Sequence, residues 1–600
     1  MNESRTLQGI GVSPGIGTGP AIVIRRDLPD VPDRVVPADA VEAEVIRLHD
    51  AVDSVRRGLE QLRQRARERV GPEEAKIFDA QILMLQDVEF LEGAERLIRD
   101  NQLSAERAYE FKALEVRALW ANSGSSRLRE RVADLSGLQI RILNHLLGQS
   151  VDEAFAPTGG RPSVVFLREL TPGLTVQFEQ DHVVGFVSEE GTRTSHAAIL
   201  ARSLGIPCVM GLPGVLHEVR SGTEVIIDGA RGSVTLSPTA EQVSEAEVAE
   251  GKRHTLLREL ESVLGQPAVS LDGVNVTLRG NLDLPEELDQ LAGQGAEGVG
   301  LMRTEFLVVG RADLPSEEEQ LDYFRRVARR FAPAPVIVRS FDVGGDKFPA
   351  AFRILPEPNP FLGWRALRVC LDRPEVFLPQ LRALLRARID GDIQLMLPLV
   401  VDVSEVVRTR ELLAEARASL ARDGLRAADD LPVGVMVETP AAAAIADRLA
   451  EVSDFLSVGT NDLTQYTLAV DRGNARLAER FTTYHPAIVR MLQAVRDAAV
   501  RARLPISVCG ELASEPLGAF LLIGLGYRNL SISPVSLPLI RWLVRRINAS
   551  TAARAAEAAR EAATAAEVTR ILEEHIAEYV DLGSLETGWL PQDRRNTKLG

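Results

Sequence analysis

The chain has 600 residues, 45% apolar and 26% charged, the balance of a globular protein built from more than one domain. A net charge of −16 with a pI near 5.2 excludes a protein that grips nucleic acid, which needs a basic face against the phosphates. Its three cysteines, Cys208, Cys370 and Cys509, form neither a CxxC pair nor a zinc spacing, so structural zinc and a disulfide framework are excluded too and a reducing compartment is expected.

The opening, MNESRTLQGIGVSPGIG, is polar and then glycine-rich, unlike a signal peptide, and no apolar run approaches a membrane span. A cytoplasmic protein without membrane contact is therefore expected. Pro20 to Ile24 reads as a strand. Four helical stretches follow, Ala38 to Val70, Glu73 to Arg99, Ser104 to Asn122 and Leu128 to Leu147, and short connections between them predict an α-helical bundle. Nothing in it looks catalytic.

The pattern then turns mixed α/β. Ser163 to Leu167, His182 to Val187, Thr223 to Ile227 and Val234 to Leu236 are short strands, with a helix predicted over Ser195 to Leu204. The N-terminal strand can join this unit, which makes the bundle an insertion. Thr194 or Ser195 is a natural N-cap, so His196 falls in the first helical turn. A neutral imidazole there can attack phosphorus, and a phosphate on it would sit near unpaired amides. A lone histidine is more often a structural residue. Pro238 to Leu264 reads as a helical connector.

Eight apolar runs separated by helical stretches then predict a parallel (β/α)8 barrel: Val274–Leu278, Val299–Met302, Val336–Val338, Ile393–Leu397, Val433–Val437, Phe455–Val458, Ile506–Val508 and Leu530–Ile532. Asn281, Arg303, Glu305, Arg339, Asp342, Glu438, Asn461, Asp462, Cys509 and Glu511 fall at or past strand ends, on the face where such barrels carry active sites. Arg303, Arg339 and Arg472 offer planar forks for phosphate or carboxylate. Glu438 and Asp462 are hard oxygen ligands of the kind Mg²⁺ takes, so the set implies a small, multiply anionic substrate. Gly344-Gly-Asp-Lys lets amides approach a phosphate, although Gly-Gly is also an ordinary turn. Cys509 can be an acid, a nucleophile or a packing residue, and packing is the commoner role.

These residues lie in motifs that resemble Enzyme I of the bacterial sugar phosphotransferase system, within the wider group of phosphoenolpyruvate (PEP)-using enzymes with a mobile phosphohistidine domain. The motifs are Gly9-Ile-Gly-Val-Ser-Pro-Gly, the segment around His196, Gly300-Leu-Met-Arg-Thr-Glu-Phe, Arg339-Ser-Phe-Asp-Val-Gly-Gly-Asp-Lys, Asn359-Pro-Phe-Leu-Gly-Trp-Arg, Met436-Val-Glu-Thr-Pro-Ala, Ser457-Val-Gly-Thr-Asn-Asp-Leu-Thr-Gln-Tyr and Cys509-Gly-Glu-Leu-Ala. The resemblance implies His196 as the phosphorylated nucleophile and Cys509 as the acid that turns the enolate into pyruvate. Arg303, Arg339, Arg472 and Asn461 would bind PEP, Glu438 and Asp462 would hold Mg²⁺ (or Mn²⁺), and Thr175, Lys347 and Arg365 would support them.

It further implies an α/β phosphohistidine domain (1–34 and 149–237) that swivels, an inserted four-helix bundle docking the carrier protein HPr (35–148), a helical linker (238–264), a PEP-binding barrel (265–549) that also dimerises, and a helical tail (550–600) with no assigned role. Two departures stand out: Thr192 follows Gly191 where the family has a second glycine, and the tail is unaccounted for. A dikinase or PEP synthase would need an ATP domain that the N-terminal bundle leaves no room for. The nitrogen-branch paralogue would carry an added sensory domain before the first motif. A purely regulatory scaffold would leave the site residues unexplained.

Overall fold

In the computed structural model the described residues are 4–24, 29–69, 77–121, 132–148, 161–170, 182–191, 201, 205–308, 311, 313–344, 357, 359–472 and 474–581. They fall into two compact units, divided between His254 and Thr255 within the helix Ala240–Ser262. Among them no helix is long and apolar enough to cross a membrane.

The first unit holds an eight-stranded sheet: β1 (Arg5–Gln8), β2 (Ile10–Ser13), β3 (Ile16–Ile24), β4 (Ser163–Glu169), β5 (Val183–Glu190), β6 (Cys208–Met210), β7 (Glu224–Asp228) and β8 (Ser233–Leu236). Its order is β1-β8-β7-β3-β4-β5-β6-β2. β3 pairs in parallel with β4, although the helical insertion separates them in sequence, and β1 pairs with β8 across the whole unit. Alternate side chains of β4 reach opposite faces: Val165 and Leu167 join one apolar cluster, Val164 and Phe166 the other. Both faces are thus buried, and β4 reads as a continuous apolar run rather than an alternating one.

The insertion forms helices over Val41–Arg69, Ile77–Leu85, Val88–Asn101, Ala105–Ala121 and Val132–Leu146. The second expected helix is therefore two. The break falls at Asp87, whose carboxylate accepts the Phe90 amide at 3.0 Å and starts a new helix. Buried Glu44 and Glu106 are neutralised by Arg34 and Arg47, and Glu44 also accepts the Ala105 amide.

The second unit is a closed parallel barrel of β9 (Thr277–Leu282), β10 (Val299–Met302), β11 (Val336–Arg339), β12 (Ile393–Leu397), β13 (Val433–Val437), β14 (Phe455–Val458), β15 (Ile506–Val508) and β16 (Asn529–Ile532). Seven strands match the apolar runs closely; β9 begins later and ends four residues further on than expected. The cause is its alternation. Leu278, Gly280 and Leu282 are buried, whereas polar Arg279 and Asn281 lie between them. A strand whose alternate positions are polar outlasts its apolar run, and Asn281 lies inside β9 rather than past it.

Residues beyond 549 continue as helices Ala549–Glu561 and Ala565–Ile576, with Ala552, Ala555, Ala556, Val568 and Leu572 buried. A Cβ on Gly524, in the helix Pro516–Gly524, would lie 2.1 Å from the Ala552 carbonyl. The described part of the tail is thus packed against the barrel's own helical layer.

Candidate active site

The C-terminal strand ends converge on a cavity of about 530 Å³. Arg303 follows β10, Arg339 ends β11, Glu438 follows β13, Asn461 and Asp462 open the helix after β14, and Cys509 follows β15. These six side chains line the cavity together with Arg365 and Arg472. Strands in a closed barrel all deliver their C-termini to one rim, so residues far apart in sequence meet there.

Arg303, Arg339 and Arg365 are held by carboxylates. Arg339 places Nη2 at 2.7 Å from Glu305 Oε1 and Nη1 at 3.1 Å from Asp342 Oδ2. Arg365 turns Nε and Nη2 toward Asp342 Oδ1, at 3.1 and 2.6 Å. Arg303 donates to Asp283 Oδ2 at 3.0 Å. Burial works against the charge on Arg339, but Glu305, Asp342 and Glu438 outweigh it and hold the guanidinium firmly protonated. Its Nε, and that of Arg303, are buried with no hydrogen-bond partner.

Glu438 is 2% exposed and accepts the Leu399 amide at 2.6 Å. Leu399 adopts φ +57 to aim that amide, a strained setting for a branched residue. Gly459 leaves the carboxylate room, since a Cβ there would lie 2.8 Å from Glu438 Oε2. Burial first, then the negative charges of Asp462 and Asp342, push the Glu438 carboxyl up to about 8. Asp462 is also buried, and its Oδ1 has no hydrogen-bond partner. Two buried carboxylates in each other's field, one with an idle oxygen, are a donor set that fits a divalent cation. Among the described residues no cluster of three or more His, Cys, Asp or Glu could hold a metal, so an ion on this pair would draw its other oxygens from substrate and water.

The cavity wall carries four arginines (303, 339, 365 and 472) and four carboxylates (305, 342, 438 and 462). Fully ionised, it is neutral. A divalent cation entering with a polyanion would offset charge that this neutral wall as a whole does not.

Cys509 is 3% exposed, with Sγ 3.6 Å from the Val458 carbonyl. It borders an apolar floor of Leu301, Ile337, Met396, Met436 and Phe455. Burial pushes its thiol up to about 11, so it is protonated at neutral pH and can donate a proton rather than attack. Asn461 exchanges two bonds with Glu511, Nδ2 to Oε1 at 2.9 Å and the Glu511 amide to Oδ1 at 3.1 Å.

Arg303, Arg339, Arg365, Arg472, Glu438, Asn461, Asp462 and Cys509 are thus brought together. Asn281, inside β9, does not line the cavity; it donates to the Cys509 carbonyl at 3.2 Å. His196, Thr175, Lys347 and Thr192 lie outside the described residues, as does the helix expected over Ser195 to Leu204 except for Ala201, which is helical and buried. Gly191, just before that segment, has φ +128, a conformation that suits glycine. Glu305 and Asp342 were legible as strand-end polar residues, but their work as partners of the arginines was not. Nothing in the sequence marked the Leu399 amide.

Three family models match in order: the N-terminal model of PEP-utilising enzymes over residues 8–131, their mobile-domain model over 159–232 and their PEP-binding-domain model over 258–549. The chain is 38% identical over 567 residues to a phosphoenolpyruvate-protein phosphotransferase of Geobacillus stearothermophilus, covering 94% of this chain and 97% of that protein. It is 37% identical over 575 residues to the protein of that name from Listeria monocytogenes, covering 96% and 100%. With the Bacillus subtilis protein of that name the identity is 36% over 569 residues, covering 95% and 99%.

Proposed function

Because this chain belongs to the phosphoenolpyruvate-protein phosphotransferases, the Enzyme I family, we propose that it moves the phosphoryl group of PEP to its own His196, releases pyruvate, and then passes the group to HPr at the head of sugar uptake. The observation that carries this reading is the meeting of Arg303, Arg339, Arg472, Glu438, Asp462 and Cys509 on one cavity.

Arg303, Arg339 and Arg472 bind the phosphoryl oxygens and neutralise the charge that spreads over them as the phosphorus–oxygen bond loosens. Asn461 orients the substrate, and Arg365 and Lys347 support its anionic end. Glu438 and Asp462 would hold Mg²⁺, with Mn²⁺ as a substitute, and when bound it supplies positive charge to the phosphoryl group. A ring nitrogen of His196 attacks phosphorus, the bond from phosphorus to the enol oxygen breaks, and the enolate leaves. Thr175 holds the ring. The Cys509 thiol gives its proton to the enolate's terminal carbon, which yields pyruvate.

The domain limits proposed are 1–34 with 149–237 for the phosphohistidine domain, 35–148 for the HPr-docking bundle, 238–264 for the linker, 265–549 for the barrel and 550–600 for the tail. The phosphohistidine domain must travel between barrel and carrier. Exposed Leu83, in the helix Ile77–Leu85, offers an apolar side chain to HPr. Dimerisation through the barrels and a cytoplasmic location complete the proposal.

The test is incubation with PEP labelled at phosphorus and Mg²⁺, beside His196→Ala. Acid-labile label on the wild type alone, with pyruvate released, supports the reading. No label on a wild type that binds both PEP and metal overturns it.

A further inference from the structure

The turn Asn359–Arg365 carries Arg365 and overhangs the cavity with Pro360 and Phe361. Arg365 is followed by Ala366 at φ 54 and ψ −130, a conformation that residues with a Cβ avoid. Such backbone persists only where its surroundings hold it. Several contacts do. The Ala366 amide donates to the Val343 carbonyl at 3.0 Å, Gly344 and Arg365 form an isolated bridge, and Arg368 Nη1 donates to the Leu362 and Gly363 carbonyls at 3.0 and 2.8 Å.

A further contact comes from a distant element. The Tyr466 hydroxyl donates to the Phe361 carbonyl at 2.6 Å, across 105 residues of sequence. Tyr466 lies one turn after Asp462 in the helix Thr460–Leu468, on the same face. Arg365 in turn lies over the Phe361 ring, 5.6 Å from its centroid. A continuous path thus runs from the helix bearing Asn461 and Asp462, through Tyr466 and Phe361, to Arg365, Asp342 and Arg339.

We propose that Tyr466 is a positioning residue: it latches the 359–365 turn to the helix of Asn461 and Asp462 and so keeps Arg365 on Asp342, beside the other arginines of the PEP site. This rests on the reading of the cavity as that site. Burial pushes the Tyr466 phenol up to about 12, so it stays a donor throughout the neutral range.

Tyr466→Phe deletes one oxygen and keeps the ring. We expect the KM for PEP to rise about three- to tenfold, the weight of one neutral hydrogen bond, with kcat changed by less than about twofold. In an Arg365→Lys background the same change should add less than about twofold, because the latch acts through Arg365. An unchanged KM, or effects of the two substitutions that simply multiply, overturns the latch while leaving the PEP site intact. A wild type that releases no pyruvate from PEP fails at the earlier step, and the latch falls with the reading it rests on.

Discussion

Asp342 Oδ2 lies 3.1 Å from Nη1 of Arg339, and both side chains are nearly buried. Through its other oxygen the same carboxylate holds Arg365 at 2.6 Å, so one negative charge sets the spacing of two guanidinium groups.

Asp342→Asn keeps the shape and removes that charge. Leaving buried cations short of a counter-ion costs about 3 kcal/mol. We expect a clear loss of thermal stability, part of it restored by millimolar phosphate, which supplies the missing anion. The wild type, whose arginines are already paired, should respond much less. Equal melting of the two proteins, or a variant indifferent to phosphate, would remove Asp342 from this role.

Glu438→Gln and Asp462→Asn should each weaken Mn²⁺ binding by about tenfold or more, read by titration calorimetry or electron spin resonance. Without metal, Glu438→Gln should be no less stable than the wild type, since a neutral amide relieves the burial and like-charge strain on that carboxyl. Unchanged metal affinity in both variants would place the ion elsewhere.

Cys509 must be protonated to act as an acid. Burial raises its thiol to about 11, so the active form persists as pH rises and is lost only through that value. The pH profile of pyruvate release should therefore show no cysteine limb below about pH 10. Cys509→Ala should slow pyruvate formation by about a hundredfold. A limb near the ordinary thiol range that vanishes in Cys509→Ala would contradict the buried, protonated state.

Asp272 caps the tail from far away: its carboxylate accepts the amides of Ala549 and Ser550, both at 2.9 Å, and the Ser270 hydroxyl. The Ser270 bond and those amides hold the carboxyl below its ordinary value of 3.8. A depressed value means that this stabilisation is present above pH 3.8 and fades as pH falls below it. Asp272→Asn should cost about 1 kcal/mol at neutral pH, seen as faster amide exchange in residues 549–561. The gap from the wild type should close in acid. Equal exchange at pH 7 would show that packing alone holds the helix.

Much of the site could be read from the chain because a barrel turns sequence order into place. Arg303, Arg339, Glu438, Asp462 and Cys509 each follow or end an apolar run, and in a closed parallel barrel every such position arrives at the same rim. Asn281 was misplaced for the complementary reason: polar alternate positions let β9 continue after its apolar run ends. The split at Asp87 was hidden because helical periodicity carries across a cap.

By itself the sequence determined the barrel, five of the first sheet's eight strands with the helical insertion, and most of the side chains that meet at the rim, because apolar periodicity depends only on neighbours along the chain; β1, β2 and β6 and the order of that sheet came only with the fold. Only the tertiary structure decided the pairing of those side chains. Asp342 between Arg339 and Arg365, Leu399 on Glu438, Tyr466 on Phe361 and Asp272 on Ala549 are contacts of a few ångströms between separate segments. The energy of an ion pair or hydrogen bond is set by distance and burial, and neither exists until the chain has folded.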